Sequence, residues 1–291
     1  MRISSLLIVF LLSFTISNAQ ISVQTVAYWD LNEEYSFSGS YDNYKVKNQD
    51  TIYLSKMNYD VNIKVLGQTD STYTIRWIYH NHKFIQGTEL ARKLSGGKDT
   101  IQVVFKTNEL GAFKKILNIE ELTEYYREKF NSLSNTYADD KQTLEAINSV
   151  RKQFENPEYI LTNSIKDISS FYTFHGAKYD LNEEYNGNLK TVNNYDTNNP
   201  FDTKVTVWLD EIDSENNNYI LRTYQNVNEN QLKKVVAKKL NIPEDQIPEL
   251  KNETYVTNRI HGSGWTTYMI FTREVTSLDD KSVEEYIIQM K

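Results

Sequence analysis

Two identical hexapeptides, Asp-Leu-Asn-Glu-Glu-Tyr at 30–35 and again at 180–185, put adjacent glutamates (Glu33 and Glu34, Glu183 and Glu184) at two points 150 residues apart. Two carboxyl groups about 5–10 Å apart are what glycoside hydrolysis requires, one as acid and the other as nucleophile or base. Successive side chains of an extended strand point to opposite faces, so neither neighbouring pair forms that couple by itself. Only one glutamate from each copy, brought together by packing, could do so. Letter-for-letter repetition also favours a structural device, because a duplicated module carries its strand-start residues along, whereas a reactive constellation needs to be assembled once. The expectation is that Leu31 and Tyr35 anchor the first strand of each copy and that the glutamates form its solvated entry turn.

Metal and nucleophile chemistry find little support. His80 and His82 have the spacing that sets two rings on one face of a strand, but a third ligand would have to come from elsewhere, and His175 and His261 are unplaced relative to them. The motifs of zinc hydrolases, serine hydrolases, phosphate loops, dinucleotide folds and calcium loops are all missing. Gly262-Ser263-Gly264 reads as a tight turn between strands, since no helix follows it and no lysine sits where a phosphate loop needs one. With no cysteine, disulfides and thiolate chemistry are excluded. No catalytic residue, metal site or cofactor is therefore assigned. The 39 acidic against 32 basic residues, a net charge of −7, argue against nucleic acid as a partner.

Aromatic density is the remaining functional signal. Tyr28, Trp29, Tyr35, Phe37, Tyr41 and Tyr44 crowd the first copy, and Tyr255, Trp265, Tyr268 and Phe271 the end of the chain. On a concave sheet such side chains line a pocket for a lipid, glycan or peptide; on a flat one they are ordinary core. The candidate ligand-binding residues are Trp29, Tyr35, Trp77, Trp265 and Tyr268.

These residues need elements to hold them. Residues 1–19 combine one arginine, an apolar run from Leu6, and Ser17 and Ala19 at cleavage positions, the pattern of a secretory signal peptide cut near Ala19. The apolar run is broken too early for a membrane anchor, and nothing later is apolar enough to span a bilayer, so the mature chain is expected in the periplasm or the medium. Alternating apolar and polar residues predict hairpins at 58–81, turning at Gln-Thr-Asp-Ser, and at 200–226, turning at Asp-Ser-Glu-Asn-Asn. Tyr73, Ile75 and Arg76 fall against Tyr219, Leu221 and Arg222, which extends the repeat beyond the hexapeptide. Short strands follow at 100–118, a hairpin turns at Gly262–Gly264, and a last strand covers VEEYIIQMK. Helical period runs through 119–172, and an amphipathic helix is predicted at about 230–241. The fold class is α+β: two tandem antiparallel β-meander modules, as one curved sheet or two half-barrels, at 20–118 and 173–291. A helical spacer at 119–172 packs against them, and the second module carries an inserted short helix.

The order of a Leu-x-Glu-x-Tyr strand, a Tyr-Thr-Ile-Arg-Trp strand, Asn-Glu-Leu-Gly-x-Phe-Lys-Lys, a helix, and finally Gly-Trp with Thr-Arg-Glu-Val resembles a group of uncharacterised exported proteins from Bacteroidota-type bacteria. The resemblance implies location and architecture, and the group has no assigned activity. A non-enzymatic exported protein that binds an apolar or amphipathic ligand or an envelope partner is the preferred reading. The alternatives are a structural component of the cell envelope and a carboxylate-dependent glycan hydrolase.

Overall fold

The computed structural model describes residues 21–291 apart from 95–99, 162–164, 194, 195, 197 and 279. The signal-peptide expectation, including cleavage at Ala19, lies outside the described residues. The first half of the chain forms β1 (Ser22–Gln24), β2 (Glu34–Lys47), β3 (Asp50–Thr69), β4 (Thr72–Gly87), a short helix α1 (Glu89–Leu94), β5 (Ile101–Asn108) and β6 (Phe113–Ile116). Helices α2 (Ile119–Thr136) and α3 (Lys141–Phe154), a single turn at Pro157–Tyr159 and the short α4 (Lys166–Phe171) follow. The second half contributes β7 (Lys178–Asp180), β8 (Glu184–Thr191), β9 (Phe201–Asp213), β10 (Asn218–Val227), α5 (Glu229–Leu240), β11 (Leu250–His261), β12 (Thr266–Ser277) and β13 (Asp280–Met290).

Both halves share one antiparallel sheet of eleven strands, in the order β6-β5-β4-β3-β2-β13-β12-β11-β10-β9-β8. The last strand therefore joins them: β13 pairs with β2 from Lys281 against Val46 to Met290 against Phe37. The small β1–β7 ribbon stands apart. Period-two alternation selects the buried face. Tyr59, Val61, Ile63 and Val65 of β3, Tyr73, Ile75, Trp77 and Tyr79 of β4, and Val103 and Phe105 of β5 are buried, with wetter residues between them. The predicted hairpins turn between Thr69 and Thr72 and between Asp213 and Asn218, where Asn217 takes the left-handed backbone that such a turn needs.

The sheet is open at its β6 and β8 edges but strongly curled. The Ala27 N–H donates to the Leu110 carbonyl (3.1 Å) in the β5–β6 turn, and the next N–H, of Tyr28, to the Ser263 carbonyl (3.1 Å) in the β11–β12 turn. In a flat sheet β5 and β12 would lie about 24 Å apart, five spacings of ~4.8 Å, whereas adjacent Cα atoms are only ~3.8 Å apart. Residues 25–29 thus clasp two distant turns together. Gly111 and Gly264, with φ of +93° and +83°, make this approach feasible: a Cβ on Gly264 would sit 2.2 Å from the Val26 carbonyl oxygen. The Gly-Ser-Gly stretch is thereby a turn, as its sequence suggests.

Inside the curl, α4 and residues 171–175 fill the core. Phe171, Tyr172, Phe174 and His175 are buried. The exposed carbonyls at the end of α4 find side-chain donors: Asn258 Nδ2 reaches Ser170 O (3.0 Å) and Phe171 O (3.1 Å), and Thr266 Oγ1 reaches Phe171 O (2.9 Å). Helices α2 and α3 pack on each other through Phe130, Leu133 and Ile147, with Tyr126 and Phe154 at the margin of that cluster. Asp140 caps α3 by accepting from Thr143 N–H. The last helix of the spacer expected at 119–172 is only the six residues of α4.

Candidate functional site

The repeated hexapeptide builds the same turn twice. The N–H of Glu33 donates to Asp30 O (3.1 Å) and that of Glu183 to Asp180 O (3.2 Å), with Asn32 (φ 69°) and Asn182 (φ 66°) in the left-handed region. An asparagine tolerates that backbone, which explains its place in the motif. Two parts of the expectation need correction. Leu31 is no anchor: it is 54 % exposed at the tip of the turn, whereas Leu181 is half-buried against the core. Glu33 is more than a solvated bystander, for its carboxylate accepts from the Asp30 N–H (2.9 Å) and from the Tyr35 hydroxyl (2.8 Å). In the second copy Tyr185 bonds Asp180 instead (2.9 Å). The strands that follow, β2 and β8, have five others between them in the sheet.

The histidine pair also departs from expectation. Asn81 adopts a left-handed backbone (φ 55°) beside a register shift in β3–β4, which breaks the alternation that would put both rings on one face. His80 bonds Asn62 (3.1 Å), while His82 stacks on Tyr59 with ring centroids 5.9 Å apart. No cluster of three metal-ligating side chains occurs among the described residues.

Of the five candidate ligand-binding aromatics, Trp29, Trp77 and Trp265 are fully buried. Trp29 lies between Tyr73 (5.1 Å) and Trp265 (4.9 Å), and Trp77 sets its ring edgewise to Phe171 (5.2 Å). Tyr35 packs edgewise on Trp265 (5.0 Å). Tyr268 alternates with the buried Met269 and so belongs to the opposite, outer face of β12. The structure brings the first four into or against one core and leaves Tyr268 outside it.

A second aromatic group lies farther along the same face. A cavity of about 500 Å³ opens between the sheet and the helices. Its sheet wall is Tyr41, Met57, Tyr59, Tyr79, Ile101 and Tyr286, from β2, β3, β4, β5 and β13, and Tyr126 of α2 and Phe154 of α3 face them. Tyr41 and Tyr286 stack at 4.7 Å and Tyr59 and Tyr79 at 5.7 Å. Asp167 of α4 forms the polar end, itself 2 % exposed.

Burial holds the Asp167 carboxyl above the usual range, at about 6, against the opposing effect of its donors. Those donors are the Tyr79 hydroxyl to Oδ1 (2.7 Å), its neighbour's Ile168 N–H to Oδ1 (3.0 Å), and the Tyr59 hydroxyl to Oδ2 (3.4 Å). Tyr59 and Tyr79 are in turn pushed well above the ordinary phenol range, by burial first and then by the Asp167 charge, so both remain donors. Lys166, the preceding residue, pairs with Glu284 (2.6 Å); burial lowers its pKa and the carboxylate opposes that shift. It lines a second, more polar cleft of about 450 Å³ together with Arg273 and Asn252. Among the described residues Asp167 is the one carboxylate lining the aromatic cavity, and a single carboxylate can orient or pair with a ligand, whereas glycoside cleavage calls for two. Sequence reasoning missed Asp167; its one signal is an acid set between Ile165 and Ile168 in an apolar-periodic segment.

No family model matches this chain, and no curated protein matches it. Among solved structures, a Bacteroides fragilis protein described as exported and as having a YmcC-like fold aligns with 91 % of this chain and 99 % of its own, at 8 % identity and a TM-score of 0.28. A likeness at that score assigns neither fold nor function. No helix among the described residues is long and apolar enough to cross a membrane.

Proposed function

We propose that this is an exported, non-enzymatic binding protein whose ligand is a small apolar or amphipathic molecule held in the aromatic cavity between the curled sheet and α2–α3. One observation carries the reading: a cavity of about 500 Å³ walled among the described residues by tyrosines, Met57 and Phe154 and ending in one buried acid. A space of that size with mostly apolar walls and few convergent polar groups is the usual form of a small-molecule site. The N-terminal signal-like segment supports export to the periplasm or medium, where lipids, glycans and peptides of the envelope are at hand. The recurring Asp-Leu-Asn-Glu-Glu-Tyr turn, each time leading into a meander, supports descent of the two halves from one β module.

Native mass spectrometry of protein recovered from periplasm or medium tests the binding reading. A co-purifying small molecule is expected, lost on Ala91→Phe, which sets a large side chain at a lining position contributed by α1. Ligand-free protein that also takes up no ten- or twelve-carbon amphiphile would overturn it.

A further inference from the structure

The aromatic cavity has a chemical preference that its shape alone does not express. We infer that its ligand carries an ammonium-type cation, seated among Tyr41, Tyr59, Tyr79 and Tyr286 against the Asp167 carboxylate. This rests on the binding reading above and adds the class of ligand.

Charge is the first argument. Among the described residues, Asp167 is the sole carboxylate lining the cavity, and His82 but no lysine or arginine lines it. The adjacent cation, Lys166, is paired with Glu284 at 2.6 Å and is influenced by Asp167 less than by that partner. A buried carboxylate without a cation is costly, and three hydrogen-bond donors offset only part of that cost. A ligand cation would complete the pair.

Stereochemistry is the second. Oδ1 already accepts two short bonds, from Tyr79 and from Ile168 N–H, whereas Oδ2 has only the long contact from Tyr59 at 3.4 Å. Oδ2 therefore retains acceptor capacity on the cavity side. Around it stand tyrosine rings, whose faces attract ammonium groups, most strongly where water is excluded. The protein shows the same preference internally, for Lys166 Nζ lies 5.7 Å from the centre of the Tyr286 ring.

The plainer account makes Asp167 a first-turn acid that complements the dipole of α4. A six-residue helix has little dipole to complement, and asparagine or serine would bond the same N–H without burying a charge. The ionisable groups around the carboxyl are Tyr41 on β2, Tyr59 on β3, Tyr79 and His82 on β4, Tyr286 and Glu284 on β13, Tyr126 on α2 and Lys166 on α4 itself.

The test is calorimetric titration of the mature chain with decyltrimethylammonium, decanol and decyl sulfate, each below its micelle concentration. At pH 7.5 the ammonium should bind at least tenfold more tightly than decanol, and decyl sulfate more weakly than either. Asp167→Asn should erase the preference while leaving decanol binding in place. Acidifying the wild type to pH 5 should weaken only the ammonium, which keeps the test decisive even if the variant folds poorly. Equal affinities for the three amphiphiles, or an unchanged preference in Asp167→Asn, would overturn the cation while leaving the cavity reading intact; binding of none would overturn both. Co-sedimentation with phosphatidylcholine vesicles separates the sources. Vesicle binding lost in Asp167→Asn supports a lipid headgroup, and capture of decyltrimethylammonium without vesicle binding supports a free amine.

Discussion

Two aromatic groups share the buried face of this sheet, and they serve opposite ends. Around Trp29 the chain supplies its own filler: residues 25–29 and 171–175 pack against each other and against Tyr73 and Trp265. Around Tyr59 and Tyr79 the helices stand back, and a cavity with one acid at its end remains. Aromatic density alone does not distinguish a core from a site. The two are distinguished by whether a described segment of the chain covers the rings and by a buried carboxyl at one end.

Truncation gives the largest separation between them. Trp29→Ala should cost about 3–5 kcal/mol, the range for large buried side chains, because the clasp and both turns rest on it. Met57→Ala, on the half-buried cavity wall, should cost roughly 1–2 kcal/mol, below the range for full burial. Urea unfolding of both variants measures this, and equal costs would mean that the second group is core as well.

Protonation gives the next. Asp167 has its folded-state pKa raised from 3.8 to about 6, so the folded protein holds that proton more tightly than the unfolded chain. Its effect on stability is favourable below about pH 4 and is lost as pH rises through 6. His175, in the filled group, has its pKa lowered from 6.5 to about 4 by burial, with its Nε2–H bonded to Gly264 O at 2.7 Å. Its effect has the opposite sign: stability is present above 6.5 and is lost as pH falls toward 4. Each shift of roughly two units corresponds to about 3 kcal/mol, and in the wild type the two oppose each other across the same window. Asp167→Asn should therefore be more stable than wild type at pH 7.5, by up to about 3 kcal/mol. It should also lose stability on acidification where the wild type changes little. Melting temperatures at pH 7.5 and pH 4.5 decide the matter; a variant destabilised at both would make Asp167 a structural acid.

The clasp itself can be broken at its glycine. Gly264→Ala puts a methyl 2.2 Å from the Val26 carbonyl oxygen and a side chain on a φ of +83°. A loss of at least about 2 kcal/mol is expected, from the backbone strain before any clash is counted. Gly187→Ala, on edge strand β8 with an extended backbone and its nearest neighbour Val205 Cγ1 at 3.4 Å, should be neutral or slightly stabilising. Thermal unfolding of the two variants shows whether position or residue type matters.

Much of the fold was legible because local patterns carry it. The alternation in β3 and β4, the turns at Asp70 and Asn217, and the helical period of α2 and α3 are all short-range properties of the chain. The pairing of β13 with β2 was not, since nothing in either strand names the other across more than two hundred residues. The cavity was least legible of all. Its wall comes from five strands and four helices, and its acid announces itself only as one charged residue inside an apolar stretch. The left-handed Asn81 that separates His80 from His82 is a single-residue event that periodicity cannot register.

The smallest effects fall on the repeated hexapeptide and invert the roles its composition suggests. Leu31 is apolar yet 54 % exposed at a turn tip, so Leu31→Ala should change stability by no more than about 0.5 kcal/mol. Glu33 is charged yet ties the turn shut, accepting from Asp30 N–H at 2.9 Å and from the Tyr35 hydroxyl at 2.8 Å. Losing both in Glu33→Ala should cost about 1 kcal/mol, a modest figure because the turn is wet and each group can turn to water. Urea midpoints resolve a difference of this size. The equivalent change in the second copy sharpens it: Tyr185 takes its bond from Asp180, so Glu183→Ala should cost less than Glu33→Ala. Equal losses at the two glutamates would mean that the carboxylate acts through the turn backbone alone, and that the tyrosine bond at Glu33 adds nothing to it.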